Sequence, residues 1–319
     1  MYQLSICIPT YNGREKLDCT LPALLKKTEG LDVQICISDN CSTDGTGEFI
    51  RKLAERNANI KYHKQISNLG FAKNYEDVLK MGDGTFCWLM GDDDLPVDLD
   101  SLYSELTEGL LCNKASAYLV NGTKSGFFSL VQNNSEIGLK NLVAEYGWIP
   151  TWISRYIVSR DIAQTNTISS FKGAFPHVAW LLQMLSVHGA DLHIKNEVHV
   201  TESDAVSCSY SSRTYEYFVS DYYNLIVPYR KFLSDKEIRS YLRCAEKKFV
   251  KFGTLCRLRA ERQFSINSIK KVSEEFQHFS FFFKFTSYLV AYIPRFFFFA
   301  PWKLYKKFKN VSGKAKSCQ

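Results

Sequence analysis

A chain of 319 residues with 45% hydrophobic side chains can bury a full α/β core and still carry an appendage. Ten cysteines, none in a C-x-x-C pair and three of them (Cys7, Cys36, Cys87) inside apolar strand-like runs, fit reduced, buried thiols in a cytosolic protein better than a disulfide framework or a zinc site. The net charge of +7 is divided: residues 230–319 carry 21 Lys/Arg against 6 Asp/Glu, a net of +15, and residues 1–229 a net of −8. An acidic body joined to a basic, aromatic tail suggests chemistry in front and an anionic surface behind.

Leu4 to Ile8 is a first buried strand, stopped by Pro9-Thr10-Tyr11-Asn12-Gly13. A helix follows from about Arg14 to Lys27, with Leu17, Leu21, Leu24 and Leu25 at helical spacing. Val33 to Ile37 is a second strand, ending in Ser38-Asp39-Asn40. Ser42-Thr43-Asp44-Gly45-Thr46 opens a helix to about Asn57, with Thr43 or Asp44 as its N-cap. Ile60 to His63 is a third strand, and Asn68 to Asn74 leads into another helix. Phe86 to Met90 is a fourth strand, with Gly91-Asp92-Asp93-Asp94 at its carboxyl end. Strands and helices alternating through short links predict a doubly wound, mostly parallel sheet.

Adjacent carboxylates repel one another and lose hydration when buried, so they are tolerated where a cation or hydroxyls sit among them. The competing reading is a solvated turn with an Asp N-cap for the helix near Asp98. If the strands run parallel, Thr10-Tyr11-Asn12, Asp39 and Asp92 to Asp94 converge on one sheet edge, a nucleotide-sized crevice. No GxGxxG follows the first strand and no GxxxxGK[ST] occurs there, which removes the best support for hydride transfer or an ATPase.

On Ile8-Pro9-Thr10-Tyr11-Asn12, Ser38 to Asp44, Asn68-Leu69-Gly70 and the Asp cluster, the chain resembles the family 2 glycosyltransferases of GT-A fold. The resemblance is close over residues 3–96 and looser to about residue 212. Cys87 to Asp94 is most similar to the branch of abequosyltransferase-type enzymes of bacterial surface polysaccharide and O-antigen synthesis. The resemblance implies a GT-A catalytic domain over 1–212, with a Rossmann-like, mostly parallel sheet. It implies transfer of a hexosyl or deoxyhexosyl group from a nucleoside-diphosphate sugar to a glycan or lipid-linked glycan acceptor, with inversion. It sets Pro9, Thr10, Tyr11, Asn12, Asp39, Asn68, Gly70, Asp92 and Asp93 around the donor nucleotide. A Tyr face can stack on a base, a carboxylate can accept from an imide or a ribose hydroxyl, and glycine lets the backbone pass close to the donor. Asp39 can equally be a turn residue satisfying Thr43 or nearby backbone. By the same resemblance Asp94, then Asp92 and Asp93, would hold the Mn²⁺ or Mg²⁺ that bridges the diphosphate. The D-x-D motif fits in two registers, Asp92 with Asp94 or Gly91 with Asp93.

Inversion needs a general base at the acceptor hydroxyl. The family's acid pair is missing from Gly173 to Trp180, where His177 stands, an imidazole able to titrate near neutrality. A structural histidine at a helix start is the competing reading, and Asp161, Glu202 and Asp204 are the alternative bases. Trp148, Trp152, Tyr156 and Trp180 lie in the acceptor half, as sugar-stacking faces or as core. Thr151 to Ser159 and His193 to Val200 read as strands, and Lys124 to Gly138 as a loop near the site.

Residues 213–319 read as a helical extension, with Tyr215 to about Gln263 helical, then Phe clusters at Phe279 to Phe285 and Phe296 to Trp302, then basic residues to Lys309. Lys284, Pro294 and Arg295 interrupt any spanning helix, so the segment is expected to lie on an anionic membrane surface; a helical cap or dimer interface competes with that reading. Nucleic acid is not an expected partner, because no reading motif accompanies the charge. Met1 leads straight into strand-like residues without a secretory leader, which predicts a cytoplasmic protein, peripheral on the inner face of the cell membrane. Two alternatives remain: a GT-A-like nucleotidyltransferase, which would need a Gly-rich basic loop after strand one, and a catalytically inactive nucleotide-sugar-binding membrane scaffold, which the missing carboxylate base favours.

Overall fold

The computed structural model describes residues 2–107, 117–122, 135–136, 138–146, 151–165, 167–187, 192–201 and 213–303. Two compact units emerge, residues 1–142 with 149–206, and 143–148 with 207–319.

The first unit is built on one sheet. Strands β1 (Leu4–Thr10), β2 (Val33–Asp39), β3 (Ile60–Lys64) and β4 (Phe86–Leu89) pair in parallel in the order β3-β2-β1-β4. Beyond β4 the sheet continues through β8 (Tyr156–Ser159), β6 (Ala117–Gly122), β9 (Leu192–Thr201) and β5 (Leu95–Pro96), with β7 (Ser135–Glu136) on β9. There β8 runs antiparallel to both β4 and β6, while β6 and β9 are parallel. Every residue of β1 and β2 is buried, as near-continuous apolar strands covered on both faces require. Helices α1 (Arg14–Lys27), α2 (Thr46–Ala54), α3 (Phe71–Met81) and α4 (Leu99–Thr107) follow the strands. Leu17, Leu21 and Leu24 of α1 join Ile6, Ile8, Ile35, Ile37, Trp88 and Met90 in the core, each aliphatic side chain contributing about 1.5–3 kcal/mol.

Some expected boundaries shift for visible reasons. Helix α2 begins at Thr46, because Gly45 takes a left-handed φ of 88° in the turn before it. The Asp44 carboxylate still serves that turn, accepting from the Thr46 N–H at 3.1 Å. Asp98 caps α4 through the Ser101 N–H at 3.1 Å. Residues 151–159 are a strand only from Tyr156; Ile153–Arg155 is a 3₁₀ turn that carries Ser154 to the end of β4. Cys7, Cys36 and Cys87 are buried free thiols on three adjacent strands, and burial pushes the Cys7 thiol well up.

Between the later strands run α5 (Leu139–Tyr146), α6 (Arg160–Thr165) and α7 (Pro176–Val187), and the division between the units falls within α5. Glu76 of α3 ties this region to the sheet. It accepts from the Ser169 N–H and hydroxyl at 3.0 and 2.6 Å and pairs with Lys80 at 2.7 Å. Burial opposes its ionisation, but Lys80 and Ser169 outweigh it and hold the carboxyl at about 2. A depressed acid stabilises the fold above its ordinary value near 4.5 and loses that contribution as pH falls toward 2. Glu76→Gln should therefore cost on the order of 2–3 kcal/mol at neutral pH, and the difference from the parent should shrink steadily in melts run below about pH 4.5 and vanish only near pH 2. A difference that persists in acid would contradict the ion-pair account.

The second unit is helical among its described residues: α8 (Thr214–Glu216), a π turn at Tyr217–Asp221, α9 (Tyr222–Ile226), a 3₁₀ turn at Val227–Phe232, α10 (Asp235–Lys248), α11 (Phe252–Ala260), α12 (Ile266–Lys271), α13 (Ser273–Phe276) and α14 (Phe281–Tyr292). Tyr215 to Gln263, expected to be helical, is helical in several pieces, with a break where Pro228 enters without an N–H to donate. Ser234 and Glu237 close a reciprocal capping box on α10. Tyr222 and Tyr241 stack at 4.1 Å in its core. Among the described residues no helix is long and apolar enough to cross a membrane.

Candidate active site

The carboxyl ends of β1, β2 and β4 bring the polar residues together. Thr10 and Asp39 are register partners at the ends of neighbouring strands. The Thr10 hydroxyl donates to Asp92 Oδ2 at 2.8 Å across 82 residues of sequence. Asn74 of α3 fastens the same edge from below, donating to the Thr10 and Ser38 carbonyls and accepting from the Ser38 hydroxyl at 2.6 Å. Parallel strands end on one side of a sheet, so convergence here follows from topology.

The loops after β1 and β2 are laced to one another. The Asn12 N–H donates to Ser42 Oγ at 2.8 Å, and Asn12 Oδ1 accepts from the Thr43 N–H at 2.9 Å. Asn12 holds a left-handed φ of 50°, a conformation asparagine tolerates better than most residues. Asp39 anchors the lacing: Oδ1 accepts from the Ser42 N–H at 2.7 Å and Oδ2 from the Tyr62 hydroxyl at 3.0 Å. The carboxylate has no exposed surface, and burial followed by this charge pushes the Tyr62 phenol up. Pro9 is buried within β1, while half of the Tyr11 side chain stays exposed beside these loops. The turn at Asn68 docks on Asn40, which donates to Asn68 Oδ1 at 2.9 Å and accepts from the Leu69 N–H at 2.8 Å. Gly70 closes that turn at φ 80°, a conformation that favours glycine.

The three acids are in three different environments. Asp92 pairs with Lys16 of α1 at 2.9 Å, and its carbonyl accepts from the Thr20 hydroxyl at 2.9 Å. Burial pushes the Asp92 carboxyl up, with Lys16 and Thr10 pulling against it. Burial works in the other direction on Lys16, but Asp92 and Asp93 win and hold it more firmly protonated. Asp93 lies 3.3 Å from the same ammonium and keeps the most exposed side chain of the two, 26% against 12% for Asp92. Asp94 is 6% exposed, and its Oδ2 accepts from Trp152 Nε1 at 2.9 Å and from the Ser154 hydroxyl. Ser154 also accepts from the Gly91 N–H at 2.8 Å, and its carbonyl accepts from Trp88 Nε1 at 2.8 Å. Gly91 has no room for a side chain: a Cβ would sit 2.8 Å from Asp94 Oδ2 and 3.1 Å from Asp93 Oδ1.

His177 stands on the second position of α7, 3% exposed. Its Nε2 lies 3.1 Å from the Thr151 carbonyl, and Tyr75, Tyr156 and Phe175 surround the ring at 5.9, 5.5 and 6.5 Å. A carbonyl only accepts, so Nε2 carries the proton. Trp180 is buried and stacks on Tyr156 at 6.4 Å, so both are core rather than open sugar platforms. Asp161 lies exposed in the first turn of α6. Trp148, Glu202 and Asp204 lie outside the described residues, as does most of Lys124 to Gly138. Among the described residues no group of three or more His, Cys, Asp or Glu is arranged to hold a metal ion. Lys16, Thr20, Asn74 and Ser154 belong to the site but carry no motif; the one local hint is that Lys16 and Thr20 share a face of α1 at i, i+4 spacing.

A parallel sheet with nucleotide-scale polar loops at its strand ends and an acid turn after β4 defines the GT-A class of α/β fold. The family described as Glycosyl transferase family 2 matches residues 5–129 of the chain. Abequosyltransferase RfbV of Salmonella typhimurium is 37% identical over 213 residues, 60% of this chain and 63% of its own length. Validoxylamine A glucosyltransferase of Streptomyces hygroscopicus subsp. jinggangensis is 42% identical over 69 residues, 21% of this chain and 16% of its own. The chain thus spans less than two thirds of the length of these curated relatives. Among solved structures, S. aureus TarS 1-349 in complex with UDP-GlcNAc superposes with a TM-score of 0.53 at 19% identity, covering 85% of this chain and 81% of that one. The mannosyltransferase PcManGT from Pyrobaculum calidifontis, in complex with GDP-Man and Mn²⁺, gives 0.55 at 14%, covering 96% and 89%. These likenesses establish the fold.

Proposed function

We propose that this chain is a glycosyltransferase that moves a sugar from a nucleoside-diphosphate donor to a lipid-linked glycan of a bacterial surface polysaccharide, with a divalent cation and inversion at the anomeric carbon. The observation that carries the reading is the meeting of Thr10, Asp39 and Asp92 at one sheet edge, with the exposed face of Tyr11 beside them. The relatives' names support the donor class, since TarS is seen with UDP-GlcNAc and PcManGT with GDP-Man and Mn²⁺.

In this reading Asp39 works through the loops: it holds Ser42, Ser42 holds Asn12, and the laced backbone presents Tyr11 to the base. The donor set of the acid turn is all carboxylate oxygen, which suits Mn²⁺ or Mg²⁺ held by one or two protein ligands with phosphate oxygens completing the shell. Asp93 is the ligand we assign first, because Asp94 gives Oδ2 to Trp152 and Ser154 and Asp92 is drawn to Lys16 and Thr10. When bound, such a cation offsets the charge that develops on the departing diphosphate. His177, enclosed by rings and bonded to Thr151, fits a structural role that fixes the segment carrying Trp152 and Ser154. Glu202 and Asp204, which follow β9 in sequence, are the carboxylates we prefer for the base, because His177 is enclosed by rings and bonded to the Thr151 carbonyl.

Incubation with Mn²⁺ and a panel of UDP-, GDP-, CDP- and dTDP-sugars should release nucleoside diphosphate from one donor class. Absence of release from every donor, together with absence of nucleotide binding, would replace this reading with the inactive scaffold.

A further inference from the structure

Helix α14 is apolar on two opposite sides. One side is packed within its own unit, with Phe283, Val290 and Ala291 buried and Phe283 lying 5.2 Å from Phe279 and 5.7 Å from Phe276. The other side repeats Phe281, Phe282, Phe285, Tyr288, Leu289 and Tyr292, a single stripe at helical spacing. Phe281, Phe282 and Tyr292 on it are 82, 73 and 72% exposed. After Ile293-Pro294 the exposed surface resumes with Phe296 and Phe297, whose tilted rings lie 4.1 Å apart. Contiguous apolar patches of this kind are rare on monomers and mark an interaction surface.

Charge identifies the occupant. From residue 276 to 319 the sequence has eight Lys/Arg and no Asp/Glu. Arg295 is already engaged, donating to the Ala260 carbonyl at 2.9 Å and lying over the Phe299 ring. Lys284 also donates, to the Gln277 carbonyl at 3.1 Å, and is only partly exposed; among the described residues the outward charge falls chiefly to the exposed Lys303, and five more lysines follow in sequence. A second copy presenting the same acid-free face would set like charges against each other. An anionic bilayer is complementary to both the rings and the lysines. Twelve residues of α14 reach only about 18 Å, so the helix lies along the surface and does not span it.

We propose that the outer face of α14, with Phe296 and Phe297, docks this chain in the headgroup region of a bilayer containing anionic lipid. The proposal stands on the helical unit and does not rest on the transferase reading; vesicle binding and donor turnover can fail separately. The test is flotation of the full chain with phosphatidylcholine vesicles, with and without phosphatidylglycerol. The parent should float with the anionic vesicles only, and less so in high salt. Phe281→Ser with Phe282→Ser and Phe285→Ser should lower the bound fraction roughly tenfold, as should Lys284→Glu with Lys303→Glu, both with the parent's circular dichroism. Equal flotation with neutral vesicles would overturn the proposal. So would unchanged binding by folded variants, or a dimer, seen by light scattering, that the serine variants dissociate while no variant or parent binds vesicles.

Discussion

Asp93→Asn should lower metal-dependent donor turnover by roughly 10²- to 10³-fold while leaving the melting temperature where it was. Among the described residues the polar partner of the Asp93 side chain is the Lys16 ammonium at 3.3 Å, so an amide there removes charge without exposing a hole. Asp94→Ala should behave differently. It strips Trp152 Nε1 and the Ser154 hydroxyl of a shared acceptor, at about 1–3 kcal/mol for each buried group left unmade. Turnover should be lost together with about 2–4 kcal/mol of stability. Denaturant melts beside a manganese titration separate the two effects. If Asp93→Asn keeps full turnover with the same manganese dependence while Asp94→Ala loses it without losing stability, the ligand is Asp94 and the buried contacts are incidental.

The contrast between these two neighbours explains what could be read from the chain and what could not. The βαβ order was legible because each element writes its own period: α1 was expected and found at Arg14–Lys27, and β1 to β4 fall where the apolar runs are. Convergence of the strand ends was legible too, since a parallel sheet with short links puts Thr10, Asp39 and the acid turn on one side. The division of labour among the acids was not. It is decided by Ser154 and Trp152, some 60 residues further on, in a segment whose β-branched and aromatic residues resemble a strand throughout. Its 3₁₀ turn exists to bring a hydroxyl beneath Gly91, and nothing local in Trp152-Ile153-Ser154 announces that. His177 was singled out for its chemistry, yet its surroundings come from Tyr75 and Tyr156 in other parts of the chain. Composition can name a titratable side chain, but exposure belongs to the fold.

Lys16 is the residue the sequence conceals best, because a lysine in the first turns of an amphipathic helix looks like a solvated charge. Here it holds Asp92 at 2.9 Å and Asp93 at 3.3 Å. Lys16→Met should cost about 1–3 kcal/mol, the penalty for an uncompensated buried carboxylate reduced because a third of the Lys16 side chain meets water. The pH dependence fixes the cause. Burial already pushes the Asp92 carboxyl up, and Lys16 is the main group resisting it. Without Lys16 the folded carboxyl rises further above its unfolded value, so the native state binds the extra proton and the deficit shrinks as pH falls through that window. Above it the deficit is full. Lys16→Met with Asp92→Asn should recover most of the stability at neutral pH, because the neutral amide keeps its bond from Thr10 and needs no counter-charge. Recovery by the double variant, with loss confined to neutral and alkaline melts in the single one, would mean that the lysine is there to offset the charge of the buried Asp92 carboxylate. A deficit independent of pH, unrelieved by Asp92→Asn, would instead assign the lysine's contribution to the packing of its aliphatic stem.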